Sequence, residues 1–192
     1  MKDALNFMAL NAKLGDGGIY KSGVNCYLYF SSTSLDLLSY KREMCKKAGL
    51  KPSDFEFGTS GYGGKKKVYN FRTRNSEKIT PFKYMDTKDA IDLIDKESLI
   101  LWYLDDGSLH KRKKFVHLYC NTLTEDEVQY LIDKIYQLYP YKKCALRWDR
   151  KKDGRKYPYI YMSAVTARYF LKDVAEFIDN NDIPSMSYKA AI

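Results

Sequence analysis

Two aspartates close two similar apolar stretches, and they are the residues best placed to do chemistry. Asp106 ends Ser98-Leu-Ile-Leu-Trp-Tyr-Leu-Asp-Asp-Gly-Ser108, and Asp16 ends Met8-Ala-Leu-Asn-Ala-Lys-Leu-Gly-Asp-Gly-Gly18. Each stretch reads as an apolar helix that reaches a carboxylate and stops at a glycine, Gly107 supplying the permissive backbone that ends the second. Leu99, Leu101, Trp102 and Leu104 leave almost no polar face, so that helix must be buried nearly all round. Ala9, Ala12 and Gly15 form a small-residue stripe at i, i+3, i+6, which lets a second helix approach closely. Two helices packed that way bring their terminal acids together, and paired carboxylates repel unless divalent cations bridge them. Hard oxygen ligands, a water of lowered pKa and a charge facing the leaving oxygen are what metal-dependent phosphodiester hydrolysis requires. The bland alternative is an acid in a helix-ending turn, but the helix dipole disfavours acids at that end, and capping does not predict two of them in equivalent places.

The elements that must position these acids repeat. Residues 3 to 14 form the first helix. A β-hairpin follows over Gly17–Asn25 and Cys26–Ser32, then a helix over Leu35–Ala48 with Ser34 as N-cap, Leu35, Leu38 and Met44 facing inward, and Gly49 past its end. Asp54–Phe57 and Lys67–Thr73 alternate with period two around a glycine-rich basic loop, Gly58–Lys66. From Asn75 to Asp95 the pattern gives a short helix and a linker interrupted at Pro81. After Asp106 the order returns. Ser108–Lys114 and Phe115–Asn121 form a hairpin, and Thr124-Glu-Asp-Glu127 is a capping box opening a helix that Pro140 stops. Cys144–Trp148 and Tyr157–Met162 flank a turn of five positive charges, and a last helix runs from Ala167 to Asn180. Each half is helix, hairpin, helix, hairpin, helix, an internal duplication. The halves are placed at 1–88 and 98–192, with 89–97 as linker.

Composition points the same way. The chain has 192 residues, 45% of them hydrophobic, enough for one large domain or two small ones and too many for a disordered chain. A formal charge of +9, with 18 Tyr among the basic residues, suggests a polyanionic partner. Cys26, Cys45, Cys120 and Cys144 lack C-x-x-C spacing, which disfavours zinc and leaves buried free thiols of a reducing compartment. No run is long enough to span a membrane and no signal peptide precedes the first helix, so an intracellular protein complete from Met1, in a bacterial, phage-infected or organellar setting, is expected.

The paired Asp-Gly motifs, the aromatic Trp102-Tyr-Leu-Asp-Asp-Gly-Ser108 form and the closing Ile183-Pro-Ser-Met-Ser-Tyr-Lys189 segment resemble the LAGLIDADG homing endonucleases, in the single-chain form that carries both motifs. The resemblance covers nearly the whole chain. Asn11 and Lys13 depart from the family's usual small and apolar residues. It implies an α+β fold, a pseudo-two-fold duplication of αββαββα halves whose antiparallel sheets form β-saddles on double-stranded DNA. It implies a monomer that cuts both strands of a long, nearly palindromic site with Mg²⁺ or Mn²⁺, leaving 3′-hydroxyl overhangs. Asp16 and Asp106 become the catalytic metal ligands, completed by the backbone carbonyls of Gly15 and Asp105. A basic residue near each metal is implied at Lys189 and, in the first half, at Lys83 or alternatively Lys78.

The hairpins supply the DNA platform, since a twisted antiparallel ribbon fits the major groove. Candidates in the first half are Tyr20, Lys21, Asn25, Tyr27 and Tyr29, then Tyr62, Lys65, Lys66, Lys67, Asn70, Arg72 and Arg74. In the second they are His110, Arg112, Lys114, His117, Tyr119 and Asn121, then Arg147, Arg150, Lys151, Lys152, Arg155, Lys156, Tyr159 and Tyr161. Alternation along each strand sends every second residue to the other face, so about half of these should miss the DNA. Two rivals share the scaffold: an RNA-splicing maturase and a non-catalytic DNA-binding regulator. Either would tolerate loss of an acid, and here both acids are present.

Overall fold

A computed structural model describes residues 3–59, 67–139, 143–151 and 154–190. The chain divides into two compact units, Met1–Met85 with Asn181–Met186, and Asp86–Asn180 with Ser187–Ile192. Residues 89–97 lie in the second unit and carry the end of one helix and the start of the next.

The first unit is α1 (Ala4–Leu14), β1 (Gly17–Ser22), β2 (Asn25–Ser32), α2 (Leu35–Lys47), β3 (Glu56–Thr59), β4 (Lys67–Arg72) and α3 (Thr80–Tyr84). Its antiparallel strands lie in the order β1-β2-β4-β3. Period-two burial is clearest in β2, where Cys26, Leu28 and Phe30 are buried beneath the helices and Asn25, Tyr27 and Tyr29 point away.

Asp3 caps α1 and Ser34 caps α2 through side-chain oxygens on their first free N–H groups. The inward face of α2 differs from the sequence expectation. It buries Leu37, Leu38, Lys41 and Cys45, while Leu35 is 43% exposed. The stripe is hidden in the sequence because Lys41, 0% exposed, occupies its centre, with Nζ 5.3 Å from the centre of the Phe30 ring. Pro81 does not interrupt a helix either; it stands in the first turn of α3, where its missing N–H is not needed. Ser185 returns to this unit, its N–H and hydroxyl bonding the Asp36 carboxylate at the head of α2. Burial raises the Asp36 pKa, but hydrogen bonds from Ser185, Ser34 and the Leu37 N–H outweigh it and lower the carboxyl overall.

The second unit repeats the plan: α4 (Thr87–Asp92), α5 (Lys96–Asp106), β5 (Gly107–His110), β6 (Phe115–Tyr119), α6 (Glu125–Leu138), β7 (Cys144–Arg150), β8 (Lys156–Met162) and α7 (Ala164–Asn180), with strand order β5-β6-β8-β7. The Thr124–Glu127 capping box forms with both reciprocal bonds. Asp95 caps α5, accepting from both the N–H and the hydroxyl of Ser98. Val116, Leu118, Ile160 and Met162 pack under α6 and α7, and Tyr103 of α5 meets Phe170 of α7 edge to face at 5.0 Å. The four cysteines are free thiols, and burial pushes Cys45, Cys120 and Cys144 up to about 12. Among the described residues no helix is long and apolar enough to cross a membrane.

Candidate acidic site and nucleic-acid interface

The two motif helices end in almost the same way. Gly15 donates its N–H to the Asn11 carbonyl at 2.9 Å and stops α1; Asp16 follows, exposed, and Gly17 opens β1. α5 runs on through the half-buried Asp105 and Asp106, and Gly107 closes it and opens β5. Gly107 has extended backbone (φ −94°, ψ 160°), so a left-handed cap is not what it provides. It provides room: a Cβ there would lie 1.8 Å from the Tyr103 ring and 2.5 Å from the Tyr103 carbonyl oxygen. A Cβ on Gly17 would lie 2.6 Å from the Ala12 Cα. In both units the glycine lets the strand leave directly against the helix, which holds the preceding aspartate at the helix–strand junction.

The implied basic residues occupy different surroundings. Lys83, exposed on α3, lines a cleft of about 300 Å³ with Lys13, Gly17, Gly18 and Tyr20, at the end of α1. Lys78, the alternative, lies beside Gly49 at the end of α2 instead. Lys189 is 6% exposed, and its Nζ donates to the carbonyls of Tyr103 (3.2 Å), Leu104 (2.6 Å) and Asp105 (3.1 Å). The last i→i−4 bond of α5 runs from the Gly107 N–H to the Tyr103 carbonyl, so the Leu104 and Asp105 carbonyls lie beyond it and Lys189 caps the helix and neutralises its negative pole. The Tyr103 hydroxyl donates back to the Lys189 carbonyl at 2.9 Å.

Among the described residues no cluster of three His, Cys, Asp or Glu side chains could hold a metal. A cation at either acid would therefore draw on a carboxylate, a neighbouring carbonyl, water and a bound phosphate, a hard-oxygen set that suits Mg²⁺ or Mn²⁺. At Asp105 the carbonyl already accepts from Lys189 Nζ at 3.1 Å.

Strand register sorts the remaining candidates. In the first unit Tyr20 pairs with Tyr27, Tyr29 with Arg72, and Ser22 with Asn25, so these residues share the outward face; Asn70, opposite Ser31, joins them. Lys21 pairs with Cys26 and Lys67 lies in phase with Tyr69 and Phe71, which puts both on the opposite face of the sheet from Tyr20, Tyr27 and Tyr29. Lys67 lies over the Phe57 ring at 4.9 Å. Arg72 and Arg74 line a cleft of about 740 Å³ with Tyr27, Asn75 and Lys51. Lys51 is a basic residue that the strand pattern could not reveal. It sits in the loop after α2, drawn in by the Arg74 N–H on its carbonyl (2.8 Å) and by the Pro52–Thr73 bridge. Tyr62, Lys65 and Lys66 lie outside the described residues, as does Lys152 in the second unit.

The second outward face is built of rings. His117 opposes Tyr161 and Tyr119 opposes Tyr159, with His110 opposite Phe115 and Arg147 opposite Tyr159. Arg150 and Lys156 pair with each other in phase with Trp148 and Pro158, on the opposite face. Arg112 and Lys114 lie in the β5–β6 turn, where the Lys113 N–H donates to His110 Nδ1 at 3.1 Å, and Asn121 is exposed beyond β6. Lys151 pairs with Asp149 at 2.7 Å, and the Arg155 guanidinium lies 5.9 Å from the centre of the Tyr157 ring. Burial, then the nearby positive charge of Arg147 and His110, lowers the His117 pKa against a weaker pull from Asp149.

Against known proteins, residues 13–170 match the LAGLIDADG DNA endonuclease family. No curated protein sequence matches significantly. Among solved structures, the homing endonuclease I-WcaI bound to its DNA recognition sequence aligns with 98% of this chain and 86% of its own, at 18% identity and a TM-score of 0.69. Mesophilic variants of the homing endonuclease I-DmoI align with 91% of this chain and 98% of theirs, at 14% identity and TM-score 0.60. The N-terminal LAGLIDADG domain of DUF199/WhiA aligns with 94% and 88%, at 13% identity and TM-score 0.60. The duplicated α+β fold, the Asp-Gly junction in each unit and the family match over most of the chain agree: this protein belongs to the LAGLIDADG DNA endonuclease family.

Proposed function

We propose that the protein is a divalent-metal-dependent endonuclease that recognises a long, nearly palindromic DNA duplex and cuts both strands. One observation carries this reading. Each unit holds an aspartate at a helix–strand junction kept tight by glycine, and the strand that leaves the junction opens a four-stranded sheet with a polar or aromatic outward face. One acid per unit suits a substrate with one scissile phosphate on each of two antiparallel strands. Asp16 and Asp106 would hold Mg²⁺ or Mn²⁺ with the carbonyls of Gly15 and Asp105. When bound, the cation supplies Lewis acidity that lowers the pKa of water and offsets charge on the leaving oxygen. Lys83, in its open cleft, stabilises developing negative charge. Lys189 acts through α5, holding the helix end from which Asp106 projects.

A single chain with both motifs needs no partner copy, so light scattering should give the mass of one 22.4 kDa chain. The decisive test uses supercoiled plasmid carrying the locus restored by deletion of the coding element. With Mg²⁺ the wild type should linearise it, and Asp16→Asn and Asp106→Asn should each abolish linearisation while keeping duplex affinity. Nicked product from single mutants would mean that each acid serves one strand. Linearisation by both mutants at the wild-type rate would remove the acids from the reaction. A non-catalytic binding protein on this scaffold would bind the plasmid and leave it supercoiled.

A further inference from the structure

At one row of the two sheets the outward faces carry different chemistry. Three residues along β1 from Gly17, Tyr20 pairs with Tyr27, the rings stacked at 5.7 Å and both ending in hydroxyls. Three residues along β5 from Gly107, the pair is His110 and Phe115. Each glycine directly follows its acid, so the two rows stand at the same ladder distance from Asp16 and from Asp106. Among the described residues Phe115 is the one outward-facing ring without a polar atom. His110 at 4.4 Å, His117 at 5.0 Å and Tyr161 at 5.2 Å hold it in place, and it keeps part of its surface in solvent. The turn beside it is Lys111-Arg-Lys-Lys114, closed by the Lys114 N–H on the His110 carbonyl at 2.8 Å.

Thymine is the base that presents a methyl group to the major groove, and an aromatic ring is a partner for it. The other bases put hydrogen-bonding groups there, and a donor or acceptor set against a ring loses its water without a replacement. Phe115 thus selects by what it cannot do. Tyr27, which lines the polar cleft with Arg72 and Asn75, keeps a hydroxyl that can donate or accept. The basic turn supplies phosphate contacts that fix the height of the ribbon over the groove. Three ladder steps at about 3.4 Å span about 10 Å, which is about three base pairs of duplex.

We infer that Phe115 is a specificity-determining residue that reads a thymine methyl about three base pairs outward from the phosphate served by Asp106. The inference rests on the duplex-cleaving reading above. It makes the halves of a nearly palindromic site chemically unequal, because the matching step in the other half lies under Tyr20 and Tyr27 and is read without the methyl. The probe is a fluorescein-labelled duplex of the restored locus, titrated by anisotropy without divalent metal so that it stays whole. Deoxyuridine replaces thymidine at one position at a time in each half, which deletes a single methyl and nothing else. Losing the methyl that Phe115 covers should weaken binding by about four-fold, the worth of one buried methyl-sized group. The same replacement should cost Phe115→Asn nothing, whereas Phe115→Leu, which keeps an apolar surface, should retain most of the penalty. A site without thymine at that step, a scan in which no methyl matters, a penalty that persists in Phe115→Asn, or equal penalties in the two halves would each overturn the inference and leave duplex recognition standing. The scan on the wild type needs no variant, so instability of Phe115→Asn would not shield the inference. Failure to bind the unmodified duplex would overturn the duplex reading, and this inference with it.

Discussion

The two units share a plan, yet their corresponding lysines do different physical work. Lys83 projects into an open cleft at the end of α1, whereas Lys189 is buried and spends its ammonium on three carbonyls at the end of α5. The helices explain the difference. α1 stops at Gly15 before its acid, so Asp16 lies outside the helix. α5 continues through Asp105 and Asp106, placing two negative charges at the negative pole of its dipole, a placement that costs free energy unless a cation sits on the axis. Lys189 is that cation. Two lysines to which the resemblance gives matching roles thus sit in different surroundings: one lines an open cleft and the other holds its helix.

The largest effect that would sharpen this contrast comes from removing each ammonium. Lys189→Met strips three carbonyls, two of them buried, of a charged donor and should cost about 2–3 kcal/mol, the scale of hydrogen bonds to a charged group. Lys83→Met alters an exposed side chain and should leave the urea midpoint within the error of wild type while lowering the cleavage rate. Equal midpoint shifts for the two variants would break the comparison, and so would a stable Lys189→Met that lost only activity.

The outward faces invite a test of middle size. Arg72, Arg74 and Lys51 gather on one cleft of the first unit, a cationic cluster suited to phosphates, whereas the second face carries Arg147 among rings. Arg74→Gln and Lys51→Gln should each reduce the dependence of log K on log salt for duplex binding by about 1 and weaken all sequences alike. Arg147→Gln should change the salt slope less. A slope unmoved by the first two would remove the cleft from the duplex interface.

Much of this was legible in the sequence where local chemistry decides local structure. The capping box at Thr124, the Ser34 cap, the alternation of β2 and the Asp-Gly junctions all formed as read. What escaped depended on contacts between distant residues. α2 faces Lys41 inward, its ammonium over the Phe30 ring, and Leu35 outward, and a hydrophobic pattern cannot anticipate a buried lysine. Gly107 reads as a helix stop, but its reason is the Tyr103 ring, whose position follows from packing on Phe170 and from the Lys189 carbonyl. Lys21, Lys67 and Arg150 were candidates by type, and register alone moved them to the other face. Lys51 lies in no strand and reached the cleft through a loop closed on β4. Residue type therefore indicated the class of partner, while pairing decided which side chains can meet it.

The smallest effect distinguishes the two faces by pH. Only the second carries histidines, and among its charged neighbours Arg147 and His110 oppose protonation of His117 while Asp149 favours it. Burial adds to the opposition, so the folded protein binds this proton less tightly than the unfolded chain, whose imidazole keeps its ordinary value near 6.5. Between those two values the unfolded state holds more protons, and by linkage stability falls as pH drops through about 6.5 and levels off below the folded pKa. The effect should be modest because the ring is only half-buried. Urea midpoints of wild type and His117→Asn, compared at pH 7.5 and pH 5.5, isolate it, since every carboxylate contributes equally to both proteins. The wild type should lose more of its midpoint on acidification than the variant does; equal losses would mean that His117 titrates as it does in the unfolded chain and that the ring cluster exerts no pressure on its charge.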